Sequence, residues 1–121
     1  MVPDYWQQFV KANEINEKDF EIDEESDLSG LGVDLRIMTT KQSEDEANNF
    51  YPGIPAARKQ YVPVGMCMLG SGDYYYINSN DGENGPLYRI YHDSVKDDEI
   101  EEDGIEKVLD SYENLLEYQR P

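Results

Sequence analysis

The side chains able to do chemistry are few and widely spaced. Cys67 is the only cysteine and His92 the only histidine among 121 residues. A thiol or hydroxyl nucleophile needs a base within hydrogen-bond reach. Cys67 lies between Met66 and Met68 in a run with strand character, and reads as a small buried hydrophobe. His92 ends another such run, in His92-Asp93-Ser94. One imidazole can act as a general base, but alone it makes no catalytic constellation. A hydrogen-bonded strand end is the plainer reading. A single cysteine also excludes an intrachain disulfide and a cysteine-based zinc site.

Two loops invite a ligand test. Residues 78–85, Asn-Ser-Asn-Asp-Gly-Glu-Asn-Gly, are rich in oxygen donors. An EF-hand loop needs side-chain oxygens at positions 1, 3 and 5, Gly at 6 and Glu at 12. With Gly82 at position 6, position 1 is Ile77 and position 12 is Tyr88. Neither supplies a carboxylate, so a hairpin loop is the better reading. Gly70-Ser71-Gly72-Asp73 lacks the Gly-Lys-Ser/Thr ending of a phosphate loop, and a strand pattern follows it where a helix is required. Carboxylates are so abundant that spacing singles out no catalytic pair. No catalytic residue, metal or cofactor is expected.

Tyr74-Tyr75-Tyr76 is of another kind. Strand alternation sends Tyr75 to one face and Tyr74 and Tyr76 to the other. If only one face is covered, large aromatics are left on a surface, where tyrosine offers contact area at low entropic cost.

The elements that must position these residues follow from periodicity. Residues 3–13 predict a helix with Trp6, Phe9 and Val10 on one face. Pro3 suits the first turn, and Asp4 the positive end of the helix dipole. Residues 18–23 alternate, with Phe20 and Ile22 on one side, and read as a half-buried or edge strand. Val33, Leu35 and Ile37 predict a second strand after the turn at 29–32. Ser43-Glu44-Asp45-Glu46 opens a short helix that Pro52-Gly53 ends. Residues 61–68, 73–78 and 87–92 predict three strands joined by glycine-containing turns, an antiparallel meander. Pro63 belongs near a strand start or on an edge. Ile105, Val108, Leu109, Tyr112, Leu115 and Leu116 fit helical spacing, predicting a closing helix over 104–119 with Asp103 as its N-cap.

Charge gives a second kind of information. There are 27 Asp and Glu against 10 Lys and Arg, a net charge of −17. Low mean hydropathy, −0.80, with such charge is a mark of disorder. An aromatic content of 12%, including ten tyrosines, argues for a folded domain spanning 1–121. Acidity disfavours nucleic-acid phosphates and anionic membranes and points to a basic partner. No stretch reaches a membrane span, and the start of the chain shows no basic-then-apolar signal pattern. The expected location is cytoplasmic. The meander, residues 50–95, is nearly neutral at −1, so the flanking segments carry −16.

The order of segments resembles the SUKH superfamily of cell-wall regulators and bacterial immunity proteins. Val2-Pro3-Asp4-Tyr5-Trp6-Gln7-Gln8-Phe9 is similar to its opening helix motif. The stretch from Ile54-Pro55 through Val62-Pro63-Val64-Gly65 resembles its approach to the central strand. Gly70-Ser71-Gly72-Asp73-Tyr74-Tyr75-Tyr76-Ile77-Asn78 resembles its Gly-Asp strand, and Gly85-Pro86-Leu87-Tyr88 to His92-Asp93 its next strand. The Leu115-Leu116 pair resembles that of the family's terminal helix. The resemblance implies an α+β fold, with a mixed or antiparallel sheet flanked by N- and C-terminal helices. It also implies a non-enzymatic immunity protein, a monomer or weak dimer, that binds a cognate toxin such as a nuclease or deaminase. Fungal relatives imply the alternative of a regulatory scaffold with several partners. For the immunity reading, the expected contact residues are Asp73, Tyr74 and Tyr76, with Asp93 nearby.

Overall fold

Alternating apolar residues at 19–22 and 33–37 line one face of a six-stranded sheet whose other face is also packed. The computed structural model describes residues 2–70 and 72–120. Helix α1 (Asp4–Ala12) leads into strand β1 (Asp19–Ile22) and strand β2 (Val33–Ile37). Helices α2 (Thr40–Asn49) and α3 (Gly53–Arg58) precede β3 (Tyr61–Cys67), β4 (Tyr75–Asn78) and β5 (Leu87–Ile90). A small hairpin of β6 (Val95–Lys96) and β7 (Glu99–Ile100) then leads to β8 (Ile105–Leu109) and a 3₁₀ helix, Tyr112–Tyr118. The main sheet has the order β1-β2-β3-β4-β5-β8, with every pairing antiparallel. This is an α+β fold, and β3-β4-β5 is the expected meander.

The sheet curls, and its two edges are tied together from both ends of the strands. After β8 the 3₁₀ helix crosses to β1, where Gln119 bridges to Phe20 and the Arg120 amide donates to the Asp19 carbonyl at 2.9 Å. At the opposite end, the Leu28 amide in the β1–β2 loop donates to the Val108 carbonyl of β8 at 3.0 Å. The edges that could template aggregation are thereby occupied.

The concave face holds the larger core. Phe20, Ile22, Val33, Leu35, Ile37, Val64, Tyr75, Ile77, Leu87 and Val108 meet Trp6 of α1 and Tyr112 and Leu115 of the 3₁₀ helix. Trp6 and Phe9 set their rings edge-on or tilted against Tyr112 at 5.0 and 4.9 Å between centroids, an arrangement the ring quadrupoles favour. The convex face carries a second core of Ala56, Tyr76, Ile90 and Ile100, with Tyr61, Tyr74 and Tyr88 packed on it. Helix α3 reaches this face only because Gly53 lets it close on α2. A Cβ there would stand 2.2 Å from the Glu46 carbonyl oxygen.

The helix expected over 104–119 is not formed. Its first half is strand β8, and Asp103 lies in a 3₁₀ turn, Glu102–Gly104, and caps nothing of that kind. The cause is a bulge: Leu87 pairs with Leu109 but Tyr88 with Lys107. The extra residue leaves Val108 and Leu109 both buried, so a strand shows the adjacent apolar pair of a helical stripe. Ser111 then breaks the chain, its hydroxyl accepting from the Glu113 amide at 3.2 Å. Three further differences are local. Helix α2 starts at Thr40 because Thr39 and Gln42 form a reciprocal capping box. Strands β4 and β5 are shorter than expected, and Cys67 is half-buried at a strand end. Helix α3 and the β6–β7 hairpin were not expected.

Candidate protein-binding surface

Antiparallel pairing brings three connections to one end of the sheet: the β1–β2 loop (23–32), the β3–β4 loop (68–74) and the start of the β5–β8 connection (91–94). Three of the four expected contact residues, Asp73, Tyr74 and Asp93, lie on these connections. Asp73 accepts from the His92 backbone amide at 2.8 Å and contacts the His92 Nδ1 at 2.7 Å through the same oxygen. That hydrogen bond raises the His92 pKa above its ordinary value; burial opposes it, and the charges of Asp73 and then Asp93 add to the rise. His92 thus does what a strand-end histidine was expected to do. Asp73 is largely buried beneath it, and Asp93 is exposed.

The tyrosine run is divided as alternation requires, but both faces are covered. Tyr75 enters the concave core and Tyr76 the convex one, each with no accessible surface. Burial drives the Tyr76 hydroxyl pKa far upward. Tyr76 is therefore a core residue and is not available for contact, which corrects the expectation for it. Tyr74 is half-buried against the convex core, and burial and then Glu46 raise its pKa. It can offer only part of its ring to a partner.

The β1–β2 loop holds the arrangement that sequence reasoning missed. Asp27, buried, accepts from the Ser29 amide and hydroxyl at 2.8 Å and from the Leu31 amide at 3.3 Å. Arg89, on the concave side of β5, reaches the same carboxylate at 3.2 Å and donates to the Gly32 carbonyl at 2.7 Å. Its guanidinium also stands 5.2 Å from the Tyr75 ring centroid. The Asp27 and Arg89 side chains are 0% and 5% exposed. A buried arginine in a strand whose inward positions are otherwise apolar was the available signal, since such a charge requires a partner.

Charge is overwhelmingly on the outside. Of 27 acidic residues, only Asp19, Asp27, Asp34, Glu46, Asp73 and Glu106 are buried or half-buried. Five cationic side chains are already spent on internal ion pairs: Arg36 with Asp19, Arg58 with Asp98, Arg89 with Asp27, Lys107 with Asp110, and Arg120 with Glu21 and Asp34.

Other sites offer less chemistry. Among the described residues no group of three His, Cys, Asp or Glu is placed to hold a metal ion. A groove of about 370 Å³ between α1 and the start of α2 is lined by Trp6, Val10, Met38, Thr39 and Ser43 among others. The Thr39 hydroxyl there is engaged in its capping box. The 78–85 loop contains a 3₁₀ turn, Ser79–Asp81, and Asp81 accepts from the Tyr88 hydroxyl at 2.8 Å. No helix of the described residues is long and apolar enough to cross a membrane. No protein-family model, curated protein or solved structure matches this chain.

Proposed function

We propose that this chain is an immunity protein of the SUKH type, which binds a basic cognate toxin one-to-one and occludes its active site. The observation that carries the reading is the display of charge: 21 of 27 acidic residues are exposed. A toxin acting on nucleic acid needs a basic surface for phosphates. An acidic protein competes for that surface and is steered to it quickly. The ordered motifs from Val2 to Asp93 support the family assignment, and the α+β fold with its central meander agrees with it. The closing segment, a strand followed by a 3₁₀ helix, lends it no support. Asp93 and the exposed part of Tyr74 are proposed contacts, and Asp73 acts through His92.

The test is co-expression with the product of the neighbouring toxin gene. Protection of the cells and co-purification of the two chains are expected. Loss of both would reject the proposal. A pull-down returning many unrelated cellular partners, with no toxin among them, would favour the regulatory-scaffold alternative.

A further inference from the structure

Among the described residues seven large apolar ones are exposed, and four of them lie on the two loops that adjoin at the start of β2 and the end of β3: Leu28 (57%), Leu31 (53%), Met68 (39%) and Leu69 (64%). The loops are linked to the same strand. Met68 donates its amide to the Asp34 carbonyl of β2 at 2.8 Å, three residues beyond Leu31. The leucines of the first loop cannot fold back into the core. Asp27 and Arg89 hold the loop from below at Ser29, Leu31 and Gly32, and the Leu28 amide is tied to Val108. Apolar side chains on loops tied down in this way lose little entropy on binding, and exposed apolar side chains grouped on adjoining loops mark an interaction site. The same loop carries Asp23, Glu24 and Glu25, all exposed, and none pairs with a cation among the described residues. Apolar groups bordered by unpaired acids complement apolar groups bordered by lysine or arginine.

We propose that Leu28, Leu31, Met68 and Leu69 form the docking surface, and that its occupant is a basic amphipathic segment of the partner protein. The inference rests on the reading of this chain as a toxin-binding protein and names where the toxin docks. The leucines supply the desolvated centre of the contact, and Asp23, Glu24 and Glu25 its charged rim.

The probe is an 18-residue peptide with leucine and lysine at helical spacing, compared with a peptide of equal charge in which serine replaces leucine. Fluorescence anisotropy would read their affinities for the full chain. The first peptide is expected to bind and the second to bind at least about tenfold more weakly. Leu28→Ser/Leu31→Ser/Leu69→Ser is expected to weaken the first peptide about tenfold or more, and Leu116→Ser, at an exposed leucine elsewhere, less than about twofold. All four positions are exposed, so thermal unfolding should confirm that the variants remain folded. No binding, equal binding of the two peptides, or equal loss from the loop and Leu116 variants would overturn the proposal. A failure to protect cells from a toxin would bear on the preceding reading alone, because the peptide assay involves no toxin.

Discussion

At the scale of single residues, two side-chain contacts do different things because their burial differs. Asp27 and Arg89 are enclosed, so removing one partner strands a charge away from water. Arg89→Met should cost about 3–5 kcal/mol of stability, read from the urea midpoint. In the Asp27→Asn/Arg89→Met double variant the loss should be smaller than the sum of the singles. A single-variant loss below about 1 kcal/mol, the range of a surface pair, would contradict this buried pairing of Asp27 and Arg89. His92 is more than half exposed beside the largely enclosed Asp73, and solvent screens its contact. Its folded-state pKa is raised, so the contact is fully stabilising below the free-imidazole value of about 6.5 and fades as pH rises through the raised value. An NMR titration should place His92 above a free imidazole, and Asp73→Asn should bring it back down. An unshifted His92 in the parent chain would remove the contact from the account. Neither pair could be read from the sequence as a pair: 62 residues separate Asp27 from Arg89, and 19 separate Asp73 from His92. The sequence did present the anomaly of a charge at an inward strand position.

At the scale of elements, legibility tracked how far a segment's pattern was decided by its own neighbours. Strand β2 is Val33–Ile37, as its three alternating apolar residues require, and α1 follows its Trp6-Phe9-Val10 face. The division of Tyr74, Tyr75 and Tyr76 between faces was likewise local. What covers each face is not local: α3 and the β6–β7 hairpin, which enclose Tyr76, come from residues 53–58 and 95–100. Residues 105–109 show the same limit. Their helical spacing comes from a bulge that only the pairing with β5 creates. Amide exchange tests this reassignment. Strand β8 bonds to β5 along one edge, so protection over 105–107 should alternate between neighbours up to the bulge. Continuous protection through 104–119 would indicate the helix.

At the scale of the whole molecule, the net charge of −17 is organised by the fold. The nearly neutral meander forms the middle of the sheet. The acidic flanks supply α1, the β1–β2 loop, the β6–β7 hairpin and the closing segment, which surround it. Long-range attraction from such a surface decays over about 8 Å at physiological salt. The association rate with a basic toxin should therefore fall as salt rises, and the dissociation rate should change less. A rate indifferent to salt would leave the acidity as a means of solubility alone. The central claim, neutralisation by one-to-one occlusion, is met most directly by titrating the purified toxin's activity with this protein. Activity should fall in proportion to added protein and vanish near one equivalent. Full activity at an excess of the protein, or its loss at a small fraction of an equivalent, would contradict the claim.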